Sequence, residues 1–167
     1  MEKKTSIFTK YFTIIFSVAV LVGFDQFTKY LAVEHLRNQN PLVLIKGVFE
    51  LLYLENRGAA FGMFQNKQII FVIGAIIILI AGLYFWQKMP WSQKYLPLRI
   101  VCVLICAGAI GNLIDRLSRN YVVDFFYFKL IDFPVFNVAD IYVTVACFLF
   151  IILLFFFYKE EDLSFKG

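Results

Sequence analysis

One histidine, three cysteines and four prolines are all that this chain of 167 residues holds of three residue types that often mark a site or a fold. His35 has no second histidine with which to bind a metal or relay a proton, and it stands alone after the first apolar run. Cys102, Cys106 and Cys147 fall inside apolar runs. Cys102 and Cys106 share a helix face, but no histidine or third thiol is near enough to complete a metal set, so they read as small hydrophobes. Neither metal nor cofactor is expected. The same scarcity leaves no Ser/His, Cys/His or His/Glu set for catalysis. Pro41, Pro90, Pro97 and Pro134 lie outside the apolar runs, as helix breakers should. Charged residues make up only 17% of the chain, and the net charge of +4 is scattered at run ends. Without a basic stripe there is no footprint for a phosphate backbone, which excludes nucleic acid as a partner.

What the chain has instead is apolar length. Hydrophobic residues make up 61% of it, against roughly 45–50% in soluble domains. Four runs, about residues 11–33, 69–86, 98–116 and 138–158, are each long enough to cross a hydrocarbon core of roughly 30 Å as a helix. The expected fold is a mainly α membrane protein, one integral-membrane domain over residues 1–167 with four transmembrane helices. Lys3, Lys4 and Lys10 precede the first run, Lys88, Lys94 and Arg99 crowd the loop between the second and third, and Lys159 and Lys166 follow the fourth. The positive-inside rule puts these segments and both termini in the cytoplasm. Loops 34–67 and 117–135 then face outward. The first run is expected to be retained as a span and not cleaved as a signal peptide, because Asp25-Gln26-Phe27-Thr28-Lys29 follows Phe24 rather than a small-x-small site. Within the first outer loop, stretches 42–45 and 48–54 are β-rich and joined by Lys46-Gly47, which predicts a small sheet at the membrane surface. Such a sheet lines a substrate groove or serves as an interfacial cap.

The acids sit at the ends of these runs, all on the outer side. Asp25, Asp115, Asp124 and Asp140 are accompanied by Asn56, Asn112 and Asn137. A carboxylate in a bilayer costs roughly 2.5–3.5 kcal/mol even on the lenient insertion scale, so such residues usually exist for function. Asp25 and Lys29 have the i, i+4 spacing of an ion pair, which is either simple self-neutralisation or part of a site. Asn56-Arg57-Gly58-Ala59-Ala60-Phe61-Gly62 leads into the second run; its glycines suit a packing turn, and Asn56 is the member placed to touch a ligand. Asn112, Asp115 and Arg116 share one helical face, with Asp115 expected to pair with Arg116 as a structural group. Asp124 and Asp140 have no nearby cation. Asn137 fits a helix N-cap; Asp140, about one turn into the helix, fits that role less well. Two unpaired carboxylates on one membrane face can share a proton, one activating water while the other polarises a carbonyl. That chemistry is an aspartic protease. A transporter subunit would spread its acids through the membrane depth, and a structural subunit leaves Asp124 and Asp140 without a purpose.

Five blocks, in order, resemble the lipoprotein signal peptidase (signal peptidase II) family of bacterial aspartic peptidases. They are the Asp25–Lys29 and Asn56–Gly62 segments already quoted, Gly108-Ala109-Ile110-Gly111-Asn112-Leu113-Ile114-Asp115-Arg116, Val122-Val123-Asp124-Phe125 and Phe136-Asn137-Val138-Ala139-Asp140. The resemblance implies that Asp124 and Asp140 are the catalytic dyad, and that Asn112, Asp115, Arg116 and Asn137 position dyad or substrate. Asp25, Lys29, Asn56 and Gly58 would form the site's other wall or support its fold. It further implies a β-cradle and an active site at the outer face of the bacterial cytoplasmic membrane. The substrate it implies is the signal peptide of a lipid-modified prolipoprotein, cut on the N-terminal side of its diacylglyceryl-Cys by dyad-activated water. Membrane lipid would surround a monomeric enzyme, and Phe61, Phe125, Phe126, Phe128 and Phe136 supply an apolar setting for acyl chains. Asn120-Tyr121 departs from the family where Gly is common, and Ile141 where a small polar residue is frequent; Asn can also adopt a left-handed turn.

Overall fold

A computed structural model describes residues 6–58 and 67–164. Lys3, Lys4 and Lys166 of the basic segments, and Ala59, Ala60, Phe61 and Gly62 of the second block, lie outside the described residues. The chain forms α1 (Ile7–Leu36), β1 (Leu42–Ile45), β2 (Phe49–Asn56), α2 (Gln68–Lys88), α3 (Leu96–Arg119), β3 (Val122–Tyr127), α4 (Val138–Phe156) and a last short turn, α5 (Glu160–Leu163). Four of these helices are long and apolar enough to cross a membrane. They correspond to the four runs, with α1 extended at both ends. Its 30 residues reach about 45 Å at 1.5 Å per residue, so its ends project beyond the hydrocarbon.

Local chemistry sets the helix ends. The Ser6 hydroxyl accepts from the Thr9 N–H at 3.1 Å and caps α1. Helix α3 begins one residue before Pro97, so that proline occupies its first turn, where a missing N–H is harmless. It ends at Asn120, whose φ of 63° supplies the left-handed turn that the preceding helix needs.

Helix α3 is the centre of the bundle, packing against α4, α2 and α1. Half of its most apolar window is buried within the protein, against 6% for α1 and for α2, whose remaining faces are left for lipid. Two glycines allow the close approach. A Cβ on Gly108 would stand 2.6 Å from the Ala139 carbonyl oxygen of α4, and one on Gly111 2.5 Å from the Asp25 carboxylate of α1. Cys102 and Cys106 are buried in the same packing layer as Ile14, Val18 and Trp86, and Cys102 donates to the Gly82 carbonyl at 3.3 Å.

The sheet is larger than the first outer loop alone suggested. Strands β1 and β2 form the expected hairpin, with Gly47 at φ 75° in the turn. The Val48 N–H bonds back to the Ile45 carbonyl, so β2 starts one residue later than its β-rich stretch. Strand β3, from the loop between α3 and α4, adds antiparallel to β2 and completes an order β1-β2-β3. Asn56 pairs with Val122, Glu55 with Val123 and Leu54 with Asp124. The apolar run Val122-Val123-Asp124-Phe125 carried this third strand. It was overlooked because its pairing partner lies some 70 residues away. All of β1 is exposed, apolar side chains included. At the bundle end, Ala32, Leu36, Val123, Phe125 and Val138 form the layer that ties the sheet to α1 and α4.

Candidate active site

Asp25 and Lys29 are completely buried, and so is Asp115. The Lys29 ammonium has three hydrogens to place, and three acceptors surround it. These are Asn112 Oδ1 at 2.9 Å, Asp25 Oδ2 at 3.0 Å and Asp115 Oδ2 at 3.1 Å. Each acid then holds a further element. Asp25 Oδ1 accepts from the Ala139 N–H in the first turn of α4 at 2.9 Å. Asp115 Oδ2 accepts from the Val123 N–H of β3 at 3.2 Å, and its Oδ1 takes Arg119 at 3.2 Å. The Asp25–Lys29 pair is thus real but forms half of a larger network. The expected Asp115–Arg116 pair does not form, because position 116 turns to the cleft while 119, one turn beyond Asp115, reaches back to it.

Above this network sit the other two acids, each held on both oxygens. Asp124 on β3 accepts from Asn137 Nδ2 at 2.6 Å and from Asn56 Nδ2 at 2.8 Å. Asn56 is fixed in turn by the Gly58 N–H at 3.0 Å. Asp140 accepts from Asn112 Nδ2 at 2.8 Å and from the Asn137 backbone N–H at 3.1 Å. Asn137 caps α4, its Oδ1 accepting from the Asp140 N–H at 3.0 Å. Asp140 therefore is a capping residue, the third-position acid of a capping box, contrary to the expectation that it fits a cap less well. Capping fixes its rotamer; it also leaves the carboxylate facing the cavity.

Asn56, Gly58, Asn112, Arg116, Asp124 and Asp140 all line one cleft of about 570 Å³. Phe128 and Phe136 line it too, whereas Phe125 is buried in the layer below and Phe126 stacks among Phe49, Phe125 and Phe136. Arg116 lies with its guanidinium carbon 4.6 Å from the centre of the Phe71 ring. Gln26 and Arg119 were missed in the sequence. Gln26 donates to Asp25, Asp115 and the Gly111 carbonyl. Arg119 stands four residues after Asp115, the same acid-first spacing that disclosed Asp25 and Lys29. Phe71 and Thr144 of the cleft wall carry no signal of their own in the sequence.

Asp124 lies outside the spanning helices. Burial, and then the charge of Asp140, push its carboxyl from 3.8 up to about 7, against the opposing pull of Asn56, Asn137 and Lys29. Near neutral pH Asp124 therefore readily holds a proton.

The sequence profile described as signal peptidase (SPase) II matches residues 17–156. The chain belongs to this family. It is a signal peptidase II, an aspartic endopeptidase and a multi-pass membrane protein. A lipoprotein signal peptidase of Streptococcus thermophilus is 42% identical over 146 residues, covering 87% of this chain and 92% of the relative. That of Caldanaerobacter subterraneus subsp. tengcongensis is 47% identical over 130 residues, 77% of this chain and 86% of the relative. A bacterial membrane enzyme solved by the in meso method at 2.3 Å superposes with a TM-score of 0.79 at 36% identity, covering 100% of this chain and 96% of that one. Another, solved at 1.9 Å, gives 0.76 at 37% identity over 93% and 98%.

Two expectations follow for this signal peptidase II. Lys29→Met leaves the buried Asp25 carboxylate without its cation and Asp115 with Arg119 alone. Breaking a buried pair in this way costs about 3–5 kcal/mol, to be read as a large drop in the unfolding midpoint in detergent; a loss under about 1 kcal/mol would contradict the network's role. The second concerns pH. With its folded pKa raised to about 7, Asp124 keeps a proton in the folded state that the unfolded chain loses near pH 4. Stability then declines as pH rises between these values and levels off above them. At about 1.4 kcal/mol per pKa unit, the contribution is at most about 4 kcal/mol. Asp124→Asn should flatten the decline of Tm between pH 4 and 8, and an unchanged slope would show that Asp124 titrates normally.

Proposed function

We propose that Asp124 and Asp140 are the catalytic dyad of this peptidase, and that it removes signal peptides from lipid-modified prolipoproteins on the N-terminal side of the diacylglyceryl-Cys. The observation that carries the reading is that both carboxylates, one from β3 and one from α4, are bound to the same Asn137 and open into one cleft. Two acids so held share one proton and titrate as a unit.

The ionised acid takes a proton from water as the water oxygen attacks the scissile carbonyl carbon. The protonated acid gives its proton to the carbonyl oxygen, forming a tetrahedral diol. On collapse, the carboxyl that took the water's proton passes it to the leaving nitrogen, and the diol returns a proton to the other carboxylate. The dyad ends in its starting state, and no metal or side-chain nucleophile takes part.

The remaining residues have supporting roles in this proposal. Asn56, Asn112 and Asn137 fix the two carboxylates, with Gly58 holding Asn56. Asp25, Lys29 and Asp115 position the elements that carry them, and Arg116 faces the substrate from the cleft wall. An acyl chain against Phe128 and Phe136 contributes about 0.8 kcal/mol per buried CH₂. Lipid binding remote from the scissile bond can then be used to position it. Acting as a monomer in the bacterial cytoplasmic membrane, the enzyme would have both termini inside and the cleft at the outer face. Support for this topology comes from Lys88, Lys94 and Arg99, which cluster at the opposite end of the bundle from the sheet.

Asp124→Asn and Asp140→Asn are each expected to lower cleavage of a lipidated precursor at least a thousandfold while the protein still inserts and folds. The parent is expected to cut the same precursor without lipid far more slowly. Substantial turnover by either variant, or equal rates on the two precursors, would remove the dyad or the lipid from the mechanism. Topology is read with a membrane-impermeant thiol reagent on intact cells. Gln39→Cys, after α1, should label and Gln93→Cys, before α3, should not; the reverse pattern inverts the orientation.

A further inference from the structure

Helices α2 and α4 both pack along α3 but barely touch each other. Toward the end of the bundle away from the sheet, a cavity of about 440 Å³ occupies the interval between them, and it shares no lining residue with the active-site cleft. Its wall on α2 is a stripe from Ile78 through Ala81 to Met89, faced by Leu98 of α3, Phe150 of α4 and Leu163 of α5. Every lining side chain is apolar except the Cys102 thiol, which already donates to the Gly82 carbonyl. From Ile78 to Met89 is about 16 Å of helix at 1.5 Å per residue. Half of a hydrocarbon core of roughly 30 Å is about 15 Å. The cavity is therefore one leaflet deep.

The charge of the protein is gathered at the same end. Segments 1–10, 87–99 and 159–167, which flank it, hold eight bases and four acids. The rest of the chain holds eight of each, so the whole net charge of +4 belongs to these segments. Lys88 directly precedes Met89 of the cavity wall; it is exposed and, among the described residues, in no ion pair. Arg99 directly follows Leu98 of the wall. Its guanidinium donates to the Pro90 and Ser92 carbonyls at 3.0 and 2.8 Å, with no carboxylate partner among the described residues. Of the acids nearby, Asp162 is paired with Lys94, and Glu160 and Glu161 are exposed on α5.

We propose that this cavity binds one anionic glycerophospholipid from the leaflet remote from the sheet, with an acyl chain between α2 and α4 and the phosphate at Lys88. Size decides between a chain and a helix. A helix of 10–12 Å diameter fills about 1,200 Å³ or more over that 16 Å length, more than twice the cavity. A single polymethylene chain is slim enough and meets apolar walls along its whole depth. Charge decides the head group. A basic mouth on an apolar slot between spanning helices is the arrangement that retains anionic lipid, and a zwitterionic head group would gain little from Lys88. The bound chain supplies the packing that α2 and α4 do not give each other.

The test titrates the full-length protein, in a neutral detergent, with phosphatidylglycerol and with phosphatidylcholine of identical acyl chains, and counts retained lipids by native mass spectrometry. One phosphatidylglycerol is expected to bind at least tenfold more tightly than phosphatidylcholine. A six-carbon-chain phosphatidylglycerol, which carries the head group but cannot fill the cavity, should not be retained. Lys88→Gln should weaken phosphatidylglycerol at least fivefold and leave phosphatidylcholine within twofold. Ala81→Trp, which fills the cavity, should abolish retention of both, whereas Ile80→Trp on the lipid-facing side of α2 (Ile80 is 64% exposed) should bind as the parent does. Equal affinity for the two lipids, or an unaffected Lys88→Gln, overturns the head-group assignment; retention unchanged in Ala81→Trp overturns the cavity. Should Ala81→Trp not fold, the parent decides, with a phosphatidylglycerol carrying a photoreactive group at the methyl end of one chain. Its cross-links should fall on Ile78, Ile105 and Phe150. Cross-links spread over the other lipid-facing residues, none at all, or a second copy of the chain cross-linked at the cavity overturn the proposal.

Discussion

A single buried ammonium organises the sheet-bearing half of this protein. Lys29 stands between Asp25 and Asp115 at zero exposure, and the acids pass its hold outward to α4 and β3. Two acids and the cations Lys29 and Arg119 leave the network near neutrality, which is the condition for keeping charges out of water at all. Every hydrogen of the ammonium has an acceptor, so the group has one geometry. Asp140 inherits that geometry, because Asn112, bound to Lys29, also donates to it.

The glycines of α3 belong to the same constraint. Gly111 lets Asp25 approach, and Gly108 lets the first turn of α4 approach. A side chain at either position would push apart the helices that the buried network draws together. Thus a backbone requirement and an electrostatic one coincide on two turns of a single helix. The block from Gly108 to Arg116 combines both: small residues on the packing face, polar residues pointing to the site.

Two layers of polar groups divide the work. The lower layer is fully paired and charge-balanced, suited to holding shape. In the upper layer Asp124 and Asp140 have only neutral amides as direct donors, and that neutrality leaves burial and the charge of Asp140 to raise the Asp124 carboxyl. Were a cation to pair directly with either acid, both could ionise, and the proton that the proposed mechanism uses would be lost.

The four spans, the first hairpin and the acids and asparagines of the candidate site were legible in the sequence because each leaves a local trace: apolar length, β-rich stretches around Lys46-Gly47, and polar residues where a bilayer discourages them. The Asp25–Lys29 pair was legible for the same reason, being one helical turn apart. What local spacing could not decide was partnership across the fold. Arg116 is Asp115's neighbour in the chain, yet Lys29 and Arg119 are its partners in space. Strand β3 needed β2 to exist as a strand, and Asp140 became a capping residue only once Asn137 began the helix. Periodicity and composition act over a few residues, whereas a buried charge takes whichever counterion the packed helices bring to it; the sequence by itself therefore determined the elements and their chemistry, and only the tertiary structure decided which charges meet.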